Sequence, residues 1–251
     1  MMRDKKEEYF AIDNAKGKSN FVILADHASN HIPIEYKMLG LTEAERKMHI
    51  AWDLGTLPVA KLLSQKFDAP LIHSKISRLV VDCNRALYRE DLIPQLSENT
   101  SIEGNKNLDD NQRKHRIDNY HQPYHNAITS ILDDREQMGI NSIIVSIHSF
   151  TPSYMGVPRP WPIGFIPDQK QQFTKELFDN LKSKYPQKNI GWNEPYAAEQ
   201  GVHYTMDMHC DKRGLHGAMI EIRNDELSDE IGINKWADIL AHSMQESLKN
   251  I

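Results

Sequence analysis

The sequence has 251 residues, 39% hydrophobic and 26% charged, which is enough apolar material for one core and predicts a single domain over residues 1–251. With 30 basic and 35 acidic residues, the net charge is −5, so no nucleic-acid partner is expected. The apolar runs are strand-sized, the charged start lacks the apolar stretch of a signal peptide, and two cysteines form no disulfide framework; a cytoplasmic protein without membrane contact is therefore expected.

The first half of the chain predicts short strands that alternate with helices. Residues 21–25 form a continuous apolar run that enters Asp26 and His27, as expected of a buried strand with polar residues at its carboxyl end. A capping box at residues 42–45 opens a helical pattern that is interrupted near Gly55. Further strands are predicted over residues 70–73 and 78–82, and a polar excursion across the surface over residues 88–111.

The second half continues the alternation. A helix is predicted over residues 112–138, and the strand over residues 142–147 runs directly into His148. The remaining predictions are an irregular, proline-rich loop over 151–162, a strand over 163–166, a helix over 169–185, a loop-rich excursion over 191–214, a strand over 217–223 and a C-terminal amphipathic helix opened by Asn234.

Strands that alternate with helices predict an α/β protein, a three-layer α/β/α sandwich around a mixed, mostly parallel sheet. Sheets of this kind bind ligands outside the carboxyl ends of their strands. Polar residues gather at those predicted ends. They are His27, Asp82, Asn84, Arg85, His148, Glu221 and Arg223, with Asp53 on an intervening helix.

These residue types match a hydrolytic metal site. A catalytic zinc ion needs imidazole and carboxylate ligands, a coordination position open to water, and a separate carboxylate that acts as base. The compact protease motif, two histidines one helical turn apart with a glutamate between them, is absent from the sequence. Simpler interpretations stay open here, because His27 and His148 could be hydrogen-bonded strand-end histidines. Arg85 and Arg223 could likewise pair with the aspartates near them in sequence.

Five short segments follow one another along the chain: His27-Ala-Ser-Asn-His-Ile-Pro33, Asp53-Leu-Gly55, Ser77-Arg-Leu-Val-Val-Asp-Cys-Asn-Arg85, His148-Ser-Phe-Thr-Pro152 and Glu221-Ile-Arg-Asn-Asp225. In this order they resemble the motifs of the N-formylglutamate amidohydrolase family, over roughly residues 20–250. That family is related in fold to the zinc carboxypeptidases and the aspartoacylase-like deacylases. The resemblance supports the predicted sandwich.

The resemblance implies one zinc ion per chain, with His27 and His148 as ligands. In the carboxypeptidase pattern a glutamate ligand follows the first histidine by three residues, but this sequence has Asn30 there, and an amide is a poor zinc ligand. An anionic oxygen would complete the ligand set. We therefore expect Asp53 as the third ligand, with Asp26 as the alternative.

The resemblance also assigns roles to the other polar residues. Glu221 matches the general base of the carboxypeptidases, which takes a proton from the attacking water and passes it to the leaving nitrogen. For substrate binding, Arg78 and Arg85 are expected to hold a carboxylate, Asn84 to orient it, Arg223 to bind a second anion or the oxyanion, and Tyr204 and His209 to add contacts.

The implied reaction is zinc-dependent hydrolysis of the amide C–N bond of a small N-acyl amino acid, with N-formyl-L-glutamate as first candidate. Two alternatives stay open. A zinc carboxypeptidase or amidase acting on a larger peptide or cell-wall substrate would need a long groove, which the excursions over residues 88–111 and 191–214 would form or close. The second alternative is a binding protein that kept the fold but lost the metal. It is motivated by Asn30, which stands where the carboxypeptidase pattern has a glutamate ligand.

Overall fold

The computed structural model describes residues 9–196 and 203–251, and its main strands follow the apolar runs of the sequence. β-Branched and aromatic residues are frequent in these runs because they pack well on a pleated surface. The strands are β1 (Phe10–Asp13), β2 (Phe21–Ala25), β3 (Leu71–Ser74), β4 (Leu96–Ser97), β5 (Thr100–Ser101), β6 (Ile143–Phe150), β7 (Ser153–Tyr154), β8 (Val157–Pro158), β9 (Ile163–Pro167), β10 (Gly191–Trp192) and β11 (His216–Arg223).

Two helices begin with reciprocal side-chain caps. Thr42 and Asp109 each accept a hydrogen bond from the backbone N–H three residues later, and the side chain of that later residue accepts one from the cap. No helix of the described residues is both long and apolar enough to span a bilayer. The helices are α1 (Glu43–Arg46), α2 (Thr56–Phe67), α3 (Asp110–Arg116), α4 (Gln122–Gln137), α5 (Gln172–Lys184), α6 (Tyr204–His209) and α7 (Glu230–Ser247), and a π-helical turn (Ile117–His121) joins α3 to α4.

Within the described residues, seven strands form one mixed sheet in the order β1-β3-β2-β6-β11-β9-β10. The four central strands β3, β2, β6 and β11 run parallel, whereas β1 and β9 pair antiparallel with β3 and β11. Parallel neighbours bring their carboxyl ends to the same edge of a sheet. The polar residues at the ends of β2, β6 and β11 therefore meet at one edge.

Side-chain alternation along β2 shows how both faces of the sheet are covered. Phe21, Ile23 and Ala25 pack with α2, α5 and α7, whereas Val22 and Leu24 pack with α4 and α6. All five are fully buried, and each large apolar side chain buried in this way contributes about 1.5–3 kcal/mol. The predicted three-layer α/β/α sandwich is confirmed.

The prediction of a strand over residues 78–82 is wrong, because residues 78–80 form a turn and residues 81–82 are irregular. Ser77 draws the chain toward Ala51, whose carbonyl accepts hydrogen bonds from the Ser77 hydroxyl and the Arg78 N–H. The apolar residues of the segment are buried in a separate cluster beneath the polar excursion. These residues are hydrophobic because they are buried on all sides. Hydrophobic periodicity alone does not distinguish such an irregular buried segment from a buried strand.

Other boundaries also differ from the sequence predictions. Asp229 opens the C-terminal helix, since its side chain accepts the Gly232 N–H, and Asn234 lies inside α7. The edge strand β1 was not predicted, because its residues are only partly buried. The loop predicted over residues 151–162 contains the hairpin β7–β8, and the excursion over 191–214 contains β10 and α6.

Candidate active site

Two histidines converge on Asp53 at the carboxyl edge of the sheet. His27 lies just after β2, and His148 lies near the end of β6. Asp53 lies in the turn before α2, where its backbone N–H donates to the His27 carbonyl at 2.9 Å. Asp53 Oδ2 is 3.3 Å from His27 Nδ1 and 2.9 Å from His148 Nδ1. Two buried imidazole rings from different parts of the chain thus meet at one carboxylate oxygen of Asp53.

The opposite ring nitrogens are each held by another buried carboxylate. His27 Nε2 is 2.7 Å from Asp82 Oδ1, and His148 Nε2 is 3.0 Å from Asp26 Oδ2. A carboxylate in this position accepts the Nε2 N–H, so in the neutral ring Nδ1 keeps the lone pair that a metal ion would need. Metal-binding histidines are oriented by outer carboxylates in the same way.

The donor set fits a divalent transition metal such as zinc. His27, Asp53 and His148 are buried, and each offers one ligand atom within 4.8 Å of the other two. Two imidazoles and a carboxylate form a known catalytic zinc set, in which a fourth position stays open. Asp26 is already hydrogen-bonded to His148 Nε2 and to the Tyr124 hydroxyl. The geometry therefore favours Asp53 as the third ligand.

Neighbouring charges control protonation in this cluster. Burial would raise the pKa of Asp53, but His27, His148 and Arg78 hold it well below its usual range. Arg78 donates to Asp53 at 3.2 Å and to Asp82 at 2.9 Å. Burial acts to lower the pKa of His148, yet hydrogen bonds with two carboxylates raise it to about 10. A metal ion that binds here therefore displaces a proton.

Glu221 lies beside this cluster on β11, where it is the register partner of His148. The residue is 3% exposed, and its Oε2 has no hydrogen-bond partner in the described part of the chain. Burial raises the pKa of Glu221 to about 7, against the opposing effect of His148 and with the help of Asp53. A carboxylate in this state can accept and release a proton near neutral pH, as a general base must.

A cavity of about 260 Å³ opens onto these residues. Its volume lies just below the range of about 300–1,000 Å³ that is common for drug-sized ligands, so it suits a small molecule. The predicted residues in its walls are His27, Asp53, Arg78, Asp82, Asn84, Arg85, His148 and Glu221, and the additional ones include His49, Pro94, Leu96, Glu98, Tyr154, Tyr196 and His203.

Asn84 and Arg85 reach the cavity from the polar segment that follows residues 78–82. Asn84 Oδ1 accepts the Thr205 N–H at 3.1 Å, which ties this segment to α6. Arg85 Nε donates to Asp91 Oδ2 at 3.0 Å, so its ion-pair partner comes from the excursion. Both residues stand in the wall where a substrate can meet them.

Three predicted substrate residues do not line this cavity. Arg223 pairs with Asp225 at 2.7 Å, as the simpler interpretation of structural pairing predicted. His209 is 3% exposed, and its Nε2 lies 2.8 Å from His125 Nδ1. Tyr204 packs against the same His125 ring. Their roles in substrate binding stay predictions, and their positions add no support.

An aromatic wall backed by an arginine was not predicted. Tyr154 and Tyr196 line the cavity, and the Arg159 guanidinium carbon lies 4.7 and 4.8 Å from the centroids of their rings. The sequence signal for it was the position of residues 151–162, which leave the carboxyl end of β6 and enter β9, the antiparallel neighbour of β11. Loops at that edge commonly carry ligand contacts.

Solved structures resemble this chain along nearly its whole length. The gene product Atu2144 from Agrobacterium tumefaciens matches with a TM-score of 0.94 and 34% identity, covering 98% of this chain and 97% of that one. An N-formylglutamate amidohydrolase from Ralstonia eutropha JMP134 matches with a TM-score of 0.68 and 14% identity, covering 97% and 98% of the two chains. At that identity the second match shows the fold alone.

Sequence comparison identifies the family. No curated protein matches this chain. The sequence model of the N-formylglutamate amidohydrolase family, however, matches residues 19–227, which is well over half of the chain and includes the three residues that meet at Asp53 Oδ2 as well as Glu221. The protein therefore belongs to the N-formylglutamate amidohydrolase family.

Proposed function

We propose that this protein is a zinc-dependent hydrolase that cleaves the amide C–N bond of N-formyl-L-glutamate to give formate and L-glutamate. The observation that carries the proposal is the meeting of His27 Nδ1 and His148 Nδ1 at Asp53 Oδ2, beside Glu221, whose Oε2 has no hydrogen-bond partner among the described residues. Family membership supports a hydrolase of this kind. The site further supports it, because His27, Asp53 and His148 could bind a metal ion and Glu221 could take a proton from water.

Glu221 acts as the general base in this proposal. His27, Asp53 and His148 would hold a zinc ion, which would supply polarisation of the amide carbonyl and a lowered pKa for water. Glu221 removes a proton from the water whose oxygen attacks the formyl carbon, and it delivers that proton to the nitrogen as the C–N bond breaks. The hydroxyl of water thus ends in formate and its proton on the amino group. A pKa near 7 suits Glu221 to both transfers.

The cavity supports a small anionic substrate over a peptide. Pro94, Leu96 and Glu98 of the surface excursion stand in its wall, and the volume of about 260 Å³ supports a small substrate. Arg85 supplies a guanidinium for a substrate carboxylate, and Asn84 lies next to it to fix the orientation. A carboxypeptidase or cell-wall amidase would need a longer cleft.

The setting we propose is the cytoplasm, with a small-molecule substrate as the partner. Cys83 and Cys210 are both buried and unpaired with each other, which a reducing compartment permits. The residues that carry the chemistry all lie on one sheet and its loops, which supports one catalytic domain. These points stay proposals that fractionation and activity measurements can check.

Elemental analysis combined with a formate-release assay tests the proposed function. We expect about one zinc per chain, and formate release from N-formyl-L-glutamate that a chelator abolishes and added zinc restores. Zinc without formate release, together with cleavage of larger N-acyl or peptide substrates, would move the protein to the carboxypeptidase alternative. Absence of metal, of stabilisation by added zinc and of release would favour the binding protein.

A further inference from the structure

Arg159 lies next to the strands that carry the metal ligand and the base. It directly follows β8, and its backbone N–H donates to the Pro152 carbonyl at 2.8 Å, just beyond the end of β6. Its own carbonyl accepts a hydrogen bond from Arg223 Nη1, just after Glu221 on β11. The Arg159 backbone is therefore anchored to both β6 and β11 at the carboxyl edge of the sheet.

Aromatic rings hold the Arg159 side chain in place. The guanidinium carbon lies 4.7 Å from the Tyr154 centroid, 4.8 Å from the Tyr196 centroid and 5.9 Å from the Phe150 centroid. A guanidinium stacked on aromatic faces is attracted by the rings and loses little freedom when it binds a further group. Tyr154 and Tyr196 both line the cavity, so the rings place this cation directly behind that wall.

Within residues 9–196 and 203–251, the Arg159 side chain has a single hydrogen bond, which Nη1 donates to the Tyr196 hydroxyl at 3.1 Å, and it has no carboxylate partner. A guanidinium has five N–H donors in a planar fork that matches a carboxylate. The residue is nevertheless 8% exposed, and a buried cation is costly unless an anion meets it. Its remaining donors are suited to an incoming anion.

The two arginines that line the cavity are already partly neutralised. Arg78 bonds to Asp53 and Asp82, and Arg85 bonds to Asp91. A substrate with two carboxylates needs more positive charge than these pairs leave. Arg159, behind the Tyr154 and Tyr196 rings, is a guanidinium for which the described residues provide no carboxylate.

Position along β6 indicates which carboxylate Arg159 meets. Phe150, against which the guanidinium packs, is two residues beyond His148, or about 6.6 Å along the strand. Arg159 therefore packs against a residue that lies further along β6 than His148. We propose that Arg159 binds the side-chain carboxylate of the N-acyl amino acid and makes the site selective for acidic side chains, an inference that rests on the proposed function.

Product binding tests this assignment without relying on turnover. L-Glutamate and L-glutamine have nearly the same shape but differ in side-chain charge, so calorimetry on the zinc-loaded protein should show a preference for glutamate. Arg159→Met should reduce that preference by roughly 10- to 100-fold while changing the affinity for glutamine little. No preference in the unsubstituted protein, or the same preference in Arg159→Met, would overturn the proposal.

Two further variants separate binding from folding. Arg159→Lys keeps the positive charge but loses the planar pair of N–H donors that binds a carboxylate. We expect this variant to keep a reduced preference for glutamate. Arg213→Met removes an arginine that pairs with Asp133 at the amino end of β11, and its preference should match the unsubstituted protein. Equal loss of affinity for both ligands in Arg159→Met and Arg159→Lys would indicate a structural role and contradict the proposal.

Kinetics distinguish failure of this inference from failure of the proposed function. If N-formyl-L-glutamate is hydrolysed, Arg159→Met should lower kcat/KM for it relative to N-formyl-L-glutamine, mainly through KM. If neither compound is hydrolysed, the proposed function fails. The preference for L-glutamate over L-glutamine measured by calorimetry then still decides whether Arg159 binds the side-chain carboxylate.

Discussion

His148 and Glu221 are register partners on the adjacent parallel strands β6 and β11. Neighbouring strands lie about 4.8 Å apart, and residues opposite each other point to the same face of the sheet. Both strands are eight residues long and almost entirely buried. A ladder of backbone hydrogen bonds between central strands therefore sets the spacing between the proposed metal ligand and the proposed base.

Glu221→Gln should keep the metal and lose turnover. The amide has almost the same shape but cannot accept the proton of water, so kcat should fall by roughly 10²- to 10⁴-fold. Zinc content and formate release measured on the same preparation check this. If the Glu221→Gln variant released formate at the rate of the unsubstituted protein, Glu221 would not be the general base.

His148→Ala should lose metal and activity together. The change deletes one of the two imidazoles at Asp53 and leaves too few ligands for a catalytic zinc ion. Zinc per chain by elemental analysis is the measurement, and His242→Ala, an exposed histidine on α7, is the matched control. Full zinc content in His148→Ala would show that the metal binds elsewhere.

Asp82→Asn should weaken metal binding without removing a ligand. Asp82 Oδ1 holds His27 Nε2 at 2.7 Å, and an amide in its place orients the ring less well and lowers its basicity. Loss of such an outer carboxylate costs roughly 10- to 100-fold in metal affinity. Competition with a chelator measures this, and Asp225→Asn, which removes the partner of Arg223, serves as control. Unchanged zinc affinity would show that Asp82 does not orient His27.

Gly55→Ala should destabilise the protein more than Gly139→Ala. Both glycines have a positive φ, +80° and +72°, so alanine costs about 1–2 kcal/mol of backbone strain at either position. A Cβ at Gly55 would also lie 2.4 Å from Leu227 Cβ, whereas nothing lies within 4 Å at Gly139. Overpacking adds about 1–3 kcal/mol to the cost at Gly55. Urea unfolding of both variants compares them, and equal losses would contradict the predicted clash.

Acid should destabilise the fold through His209. Burial lowers the pKa of His209 from 6.5 to about 4, so between these values the unfolded chain binds a proton that the folded chain does not. The contribution is present above pH 6.5 and is lost as the pH falls toward 4, by at most about 3 kcal/mol.

Urea unfolding between pH 7.5 and 4.5 tests the His209 effect. We expect the decline in the free energy of unfolding to be shallower in His209→Gln than in the unsubstituted protein. His242→Gln, on the exposed face of α7, should keep the original slope. The same slope in all three proteins would show that His209 does not carry the acid sensitivity.

Patterns between near neighbours in the sequence determined most of the secondary structure. Apolar runs predicted β2, β6 and β11, and a capping box predicted the start of α1, because backbone geometry fixes how residues a few positions apart relate. The same patterns placed His27, His148 and Glu221 at the carboxyl edge of the sheet. The prediction of a strand over residues 78–82 failed because an apolar run can be buried without being a strand.

Only the tertiary structure decided which side chains meet. Asp53 and His148 are 95 residues apart, and their contact depends on how α2 and β6 pack. The outer carboxylates, the cavity and the aromatic rings around Arg159 are likewise contacts between distant segments. The sequence by itself determined the family resemblance, the layers and the chemical types present, because these follow from local order. The proposed third ligand and the walls of the cavity required the packed fold, since no local pattern encodes distances across a sheet.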